Sequence, residues 1–369
     1  MAKNNASKTV LIAPLSWGLG HAARCIPIIR ALQNAGHRVV LASDSEALYL
    51  LQNEFSNLKI IPLPAYNIRY KWANMPLNIA LQLPRIIYTI VAERIAIQSI
   101  IKKENIDIIL SDNRYGCYHN SKKSIFIGHQ INIKTNNRYL DALVGALHRG
   151  YLNLFFAETW IPDAASEAES LAGTLSHGLL PKKSRYIGIL SRLRGDNRNI
   201  TTKNTTSSQI LIVLSGPEPQ RTAFEQILLS QIDSYTTKNT ETQFILVRGT
   251  PKTAEISYRN LNFTIIPFAT ATELEVLMRN SDVLISRSGY TTLMDLAVSP
   301  QKAILVPTPS QTEQIYLAQR LTDAGVYYSV AQAQFDLATA LRESENFSNK
   351  INYRADVDLL RQAINSLNG

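Results

Sequence analysis

Short apolar runs and longer amphipathic stretches alternate along the whole of this chain. The first run, Thr9–Ala13, is β-branched and strand-like, and Ala22–Asn34 behind it repeats apolar positions at helical spacing before stopping near Gly36. Strand patterns return at Arg38–Ala42 and Lys59–Leu63. A long amphipathic stretch, Leu77–Lys103, leads to further strand patterns at Ile106–Leu110 and Ser124–Gly128. Tyr139–Phe156 sets Leu140, Leu143, Val144, Leu147, Tyr151 and Phe155 at helical spacing. This order predicts a parallel sheet with helices on both faces.

The alternation stops at Arg194–Ser208, a stretch rich in Asn and Thr that reads as a linker. A second series follows it: Ile210–Leu214, Gln243–Val247, Phe263–Pro267, Val283–Ser286 and Ala303–Val306. The expected organisation is two doubly wound α/β domains, residues 1–193 and 209–369, joined by residues 194–208, with the last helix able to pack back on the first domain. Ligands of such folds bind beyond the carboxyl ends of the strands, here in a cleft between two sheets.

Composition narrows the classes. With 45% hydrophobic and 18% charged residues among 369, the chain is globular material and not a disordered tract. Two cysteines, Cys25 and Cys117, make neither a disulfide framework nor a Cys-rich zinc site, and packing is their expected role. Met1–Lys8 is polar with no secretory apolar region behind it, and the longest apolar stretch, Ile86–Ile101, is interrupted by Glu93 and Arg94. A cytoplasmic setting is the expectation. The net charge of +9 is uneven: residues 1–193 hold 22 Lys+Arg against 12 Asp+Glu, whereas residues 194–369 hold 16 against 17. That bias suggests an anionic partner for the front half. Ile68–Lys103 threads Arg69, Lys71, Arg85, Arg94, Lys102 and Lys103 through apolar positions that include Trp72. It suits peripheral contact with the inner face of an anionic membrane; a core-packing helix with a solvated basic face is the competing reading. Nucleic acid is not an expected partner, since no recognition helix or aromatic-and-basic repeat is present.

Candidate chemistry gathers in the strand-to-helix turns. In the first, Gly18 and Gly20 permit close backbone approach to an anion at a helix N-terminus, and His21 stands in the turn itself, placed to act as general base on an acceptor hydroxyl. The spacing Gly18-x-Gly20-x-x-Ala23, with Asp44 beyond the second strand, also fits a dinucleotide fingerprint. In the second domain, Ser215, Gly216 and Arg221 form a small-residue turn suited to a diphosphate. The turn with most detail is Arg287-Ser288-Gly289-Tyr290-Thr291, with Asp295 two helical turns on to accept ribose hydroxyls, followed by Gln311, Glu313 and Gln314 for a sugar ring. Asp112, Arg114, His129 and Gln130 stand at strand ends facing the cleft from the acceptor side. No metal-ligand spacing occurs, so the diphosphate is expected to be stabilised by Arg287, backbone amides and a helix dipole, without a metal or other cofactor.

Together these motifs resemble those of the family 28 glycosyltransferases, which have the GT-B fold of two Rossmann-like domains around a cleft and include the enzyme that adds N-acetylglucosamine from UDP to lipid I. Gly18-Leu19-Gly20-His21 resembles the family's glycine-rich loop, although Trp17 and Leu19 depart from its pattern. Ser286-Arg287-Ser288-Gly289 through Asp295 resembles the donor signature, with Asp in place of the usual Glu. Glu313 and Gln314 resemble the sugar-contacting Gln pair, and Phe268-Ala269 the segment whose backbone holds uracil. The resemblance implies an inverting transfer from a UDP-linked sugar to an acceptor hydroxyl, lipid-linked or soluble. Two other readings stay open: a non-catalytic nucleotide-sugar or lipid-carrier binding subunit, and an NAD(P)-dependent oxidoreductase using the first loop and Asp44.

Overall fold

The computed structural model describes residues 7–67, 75–134, 137–193, 208–250, 259–260, 262–351 and 357–368. Arg69, Lys71, Trp72 and all of the expected linker but Ser208 lie outside the described residues. The front half runs β1 (Thr9–Pro14), α1 (Gly20–Asn34), β2 (Arg38–Ser43), α2 (Ser45–Glu54), β3 (Lys59–Pro62), α3 (Met75–Glu104), β4 (Ile108–Asp112), β5 (Lys123–Ile127), α4 (Arg138–Phe155), β6 (Glu158–Ile161) and β7 (Ser184–Tyr186). The back half runs β8 (Gln209–Val213), α5 (Gln220–Lys238), β9 (Gln243–Val247), β10 (Arg259–Asn260), β11 (Phe263–Ile266), α6 (Ala271–Arg279), β12 (Val283–Ser286), α7 (Tyr290–Val298), β13 (Lys302–Leu305), α8 (Thr312–Asp323), β14 (Tyr328–Ser329), α9 (Leu337–Ser344) and α10 (Val357–Asn365).

Among the described residues these strands form two seven-stranded sheets, ordered β3-β2-β1-β4-β5-β6-β7 and β10-β11-β9-β8-β12-β13-β14. All pairings are parallel except the short β10–β11 pair. Each sheet has a central switch point where the order of its parallel strands reverses, between β1 and β4 and between β8 and β12. Such a switch point leaves a crevice at the strand carboxyl ends because the flanking helices depart to opposite faces. The register sets Pro14 beside Asp112 at the first switch point.

Alternating strand residues feed two cores. Val10, Ile12, Val39 and Leu41 pack with Ile26, Ile29, Leu32, Leu50 and Leu51 from α1 and α2. Leu11, Ala13, Val40 and Ala42 pack instead with Ile97, Ile100 and Ile101 of α3. The right-handed crossovers of a parallel sheet place α3 and α4 together on that second face. α10 packs back against α1, with Ala363 and Ile364 buried in the same cluster as Ile28.

Sequence patterning misjudges several elements. α2 has no counterpart in it, and β7 is too short to leave a periodic signal. The apolar stripe of α4 faces outward: Leu140, Leu143 and Leu147 are exposed, whereas Gly145, His148 and Leu152 are buried. α3 is inverted in the same sense. It buries Glu93 and Thr89 while Leu81, Leu83, Ile87, Tyr88, Val91 and Ile95 are each at least half exposed.

Glu93 explains how a charge enters that face. Its Oε1 accepts from Arg114 Nη1 at 2.7 Å, and its Oε2 accepts from the Tyr66 hydroxyl at 2.8 Å and the Gly116 amide at 3.0 Å. Burial nonetheless pushes its carboxyl above the usual range, against the pull of Arg114. A Cβ on Gly116 would stand 2.3 Å from the Ile90 carbonyl oxygen, so only glycine permits this approach of loop to helix. Arg114 is fully buried, and replacing it with Met strands two carboxylates. Arg114→Met is expected to lower stability by about 3–5 kcal/mol, read as a lower urea midpoint at unchanged slope.

Candidate active site

Helices α1, α7 and α8 begin at the mouth between the two switch points. Gly18 has φ of +80°, a left-handed conformation that closes the turn and lets α1 begin at Gly20. Gly20 meets the start of α7, where the Thr291 hydroxyl donates to the Gly20 carbonyl at 3.0 Å. A Cβ on Gly20 would stand 3.0 Å from that same hydroxyl oxygen. Gly289 caps α7, and Glu313 lies in the first turn of α8, which Gln311 caps. The first amides of a helix have no internal acceptor, so three such ends around one space favour an anion there.

At the centre lies a linked chain of polar groups. His21 Nδ1 is 2.7 Å from Asp112 Oδ1. Burial would raise the Asp112 carboxyl, but the Arg24 guanidinium and His21 hold it well below its usual range. A carboxylate only accepts, so His21 Nδ1 donates to it; Arg24 Nη2, 2.8 Å from the same nitrogen, spends its hydrogen on Asp112 Oδ1, and His21 Nε2 keeps a lone pair. Arg24, buried in α1, donates from Nε to Asp112 Oδ2 at 2.6 Å and from Nη2 to Oδ1. Its Nη1 lies 2.8 Å from His129 Nδ1. Arginine only donates, so that nitrogen accepts, and His129 Nε2 donates to Glu313 Oε1 at 2.8 Å across the cleft. The His129 ring stacks on Tyr290 with centroids 4.0 Å apart, and the Tyr290 hydroxyl donates to the Pro162 carbonyl at 2.7 Å. Burial would raise the Glu313 carboxyl, yet His129, His21 and Arg24 keep it below its usual range.

Four of the expected ligand contacts are consumed inside the chain. Arg287 is buried, donating to the carbonyls of Val306, Pro307 and Gln220 and to Gln332 Oε1, with its guanidinium over the Phe224 ring. Burial lowers it to about 10, and it holds loops in place of a diphosphate. Arg114 is spent on the Pro14 and Pro64 carbonyls, Glu93 and Asp44, which removes it from the acceptor side. Asp44, thus paired, is not free for the ribose of a dinucleotide, which argues against the oxidoreductase reading. Asp295 accepts from Ser191 Oγ at 2.8 Å and Arg192 Nε at 2.9 Å, so both oxygens tie the halves together instead of facing a ribose.

The remaining expected residues are placed as follows. Gln314 is turned inward, its Oε1 accepting from the Thr308 amide and its carbonyl from the Ser288 hydroxyl. Arg221 is drawn to Glu218 and the Arg248 carbonyl. Ser215, Gly216, Phe268 and Gln130 are half-buried at strand ends, and Ala269 is buried. Beside Gly216, the buried Thr308 hydroxyl has no hydrogen-bond partner among the described residues. Cys25 and Cys117 are free and buried, and burial pushes both thiols far up, so neither is a nucleophile. Sequence reading passed over Arg24, whose signal is a cation three residues after His21 on an otherwise apolar helix face.

Asp112→Asn leaves the Arg24 guanidinium buried and unpaired, with an expected stability cost of about 3–5 kcal/mol at neutral pH. Because the Asp112 carboxyl titrates lower when folded, its contribution is complete above its unfolded value of 3.8 and fades as pH falls below it. Urea titrations of both proteins from pH 7 to pH 3 should therefore show a constant gap that narrows only in the acid range.

The glycosyltransferase family 28 C-terminal domain matches residues 210–363. No curated protein matches the sequence. Among solved structures, the chain is similar over 98% of its length to the glycotransferase of kitacinnamycin (96% of that chain, 13% identity, TM-score 0.64). It is similar over 98% to the glycosyltransferase SsfS6 of Streptomyces sp. SF2575, complexed with thymidine diphosphate (99% of that chain, 13% identity, TM-score 0.62). A third likeness, again over 98%, is to Acinetobacter baumannii MurG (99% of that chain, 12% identity, TM-score 0.54). The chain therefore has the GT-B fold of glycosyltransferases and carries, over residues 210–363, a glycosyltransferase family 28 C-terminal domain.

Proposed function

We propose that this chain catalyses an inverting, metal-independent transfer of a sugar from a nucleoside-diphosphate donor to an acceptor hydroxyl. The observation that carries the reading is the His21–Asp112 pair, 2.7 Å apart, at the start of a helix that abuts α7 of the family 28 domain. His21 Nε2 takes the proton as the acceptor oxygen bonds to C1 of the sugar. The bond from C1 to the phosphate oxygen breaks on the opposite side, which inverts the anomeric centre. The departing diphosphate carries its charge toward the amides opening α7, a preorganised dipole that needs no reorganisation. Glu313 and Gln311 stand where a sugar ring would lie against the start of α8, and Phe268–Ala269 where a base would. We assign a UDP-linked donor, with thymidine as the alternative nucleoside in view of the SsfS6 complex.

The acceptor side is proposed to work at an anionic lipid surface. Among the described residues no helix is long and apolar enough to cross a membrane. The outward apolar residues of α3 and α4 lie on one face of the front half with Arg85 and Arg138 exposed among them. Apolar side chains set among cations match a headgroup layer over its acyl boundary. A lipid-linked acceptor would then meet the cleft from that half.

His21→Ala is expected to reduce transfer at least about a hundredfold, the scale of a general base, while leaving donor affinity by calorimetry unchanged; full activity would remove the base. UDP or thymidine diphosphate, and not NAD, should raise the melting temperature, and transfer should persist in a metal chelator. Liposomes with anionic lipid should retain the protein at low salt, and Leu143→Glu with Ile87→Glu should release it.

A further inference from the structure

We propose that Arg24 is the positioning residue of this site, fixing the proton positions of His21 and His129 together and so linking the base to the donor-side Glu313. The inference rests on the transferase reading for its meaning but on geometry for its content. Three nitrogens of one buried guanidinium address two groups: Nε and Nη2 take the two oxygens of Asp112, and Nη1 faces His129 Nδ1 at 2.8 Å. Nη2 also lies 2.8 Å from His21 Nδ1.

Each contact has one chemical consequence. Asp112, pinned through both oxygens, can hold His21 in only one ring orientation, with Nδ1 protonated toward Oδ1. The cation beside that ring opposes a second proton on it. His129, receiving a hydrogen bond at Nδ1, is obliged to carry its proton on Nε2, which is the atom facing Glu313 Oε1. Glu313 is thereby offered a donor from the front half. A sugar hydroxyl that takes that carboxylate as acceptor must displace or share it. Among the described residues no other cation pairs with these groups. The charged and titratable groups facing His21 are Arg24 on its own helix, Asp112 at the end of β4, His129 beyond β5 and Glu313 on α8. Burial and the guanidinium lower the imidazole; Asp112 opposes them.

A lysine cannot reproduce this. Its single ammonium nitrogen has no planar fork to span a carboxylate while also reaching His129. Arginine at this position is therefore specified by geometry and not by charge alone.

The spectroscopic arm of the test uses histidine-labelled full-length protein without substrate, so it reads Arg24 whether or not the transferase assignment holds; the kinetic arm adds donor and acceptor. In the native protein, nitrogen chemical shifts should show His129 protonated on Nε2 and His21 on Nδ1. In Arg24→Lys, the His129 pattern should move to the other tautomer or a mixture. In Arg24→Gln, His21 should titrate higher by about one pH unit or more, and the acid limb of kcat/KM should move by the same amount in the same direction. Arg24→Lys should lower kcat at least tenfold while the donor KM changes less than threefold. An unchanged His129 tautomer in Arg24→Lys would overturn the proposal even where Arg24→Gln does not fold. So would a His21 titration in folded Arg24→Gln that matches the native one. Absence of sugar transfer by native protein with these spectra intact would refute the function and leave the positioning role standing.

Discussion

The structure depends on one buried ion pair, Arg24 with Asp112. A guanidinium is costly to bury unless its donors are met, and Asp112 meets two of them where β4 ends beside Pro14. That pairing is possible only because the sheet reverses its order between β1 and β4, so that the last residue of β4 lies under the first turn of α1. The same carboxylate then orients His21, and the unused arm of the guanidinium orients His129. A fold-level feature thus becomes a site-level one in two steps. Remove the switch point and the pair separates; remove the pair and two imidazoles lose their proton assignments.

The other two buried arginines show what the first is not. Arg114 and Arg287 each sit just beyond a central strand, one in each half, and each holds backbone carbonyls, Arg114 those of Pro14 and Pro64 beside the carboxylates of Glu93 and Asp44, Arg287 those of Val306, Pro307 and Gln220. Loops at strand ends leave carbonyls with no ladder partner, and a five-donor fork satisfies several of them at once. Such residues stabilise the rim on which a ligand rests. Arg24 differs because its partners are the side chains of the site itself, Asp112, His21 and His129, the last of which reaches Glu313 on the opposite wall. Several ties between the halves run through α7: Thr291 to Gly20, Tyr290 to Pro162, and Asp295 to Ser191 and Arg192; others include His129 to Glu313 and Glu54 to the Ala271 amide. Those on α7 reach three different segments of the front half. A change of angle between the halves would therefore be felt by α7, the helix whose opening amides face the proposed diphosphate.

Much of this was legible in the sequence, and what was missed has physical causes. The alternation of strand and helix signals located ten of the strands within a few residues, because parallel strands buried on both faces are continuous apolar runs. The glycines at 18 and 20 marked the first turn, and His21 stood out as a titratable group where backbone must come close. The errors fall on charged residues at strand ends and in the helix that follows one. Arg114, Arg287 and Asp295 carry the right chemistry for a ligand, and sequence spacing cannot say whether an internal partner has taken it. For Arg114 the partner, Glu93, comes from the middle of an amphipathic helix, where a lone acidic residue looks like a break in an apolar face. Arg24 was missed for the reverse reason: within α1 it looks like a surface cation, and only the β1–β4 adjacency supplies its counter-ion.

α3 carries this lesson furthest. Its buried side holds Thr89 and Glu93 as well as Ile97 and Ile100, while isoleucine, leucine, valine and tyrosine lie outward. A helix meant only to close a core would be cheaper with those positions exchanged, since each exposed aliphatic side chain forgoes roughly 1.5–3 kcal/mol of burial. Glu93 cannot move outward without unpairing Arg114, which in turn holds the Pro14 carbonyl at the entrance to the first glycine turn. The inward charge is therefore fixed by the needs of the cleft. The outward apolar residues have no such internal reason, and neither does the matching stripe on α4 across the same face. A surface that gives up this much burial on two helices is accounted for when something apolar covers it, and exposed Arg85 and Arg138 are the reason an anionic lipid surface is the covering proposed for it.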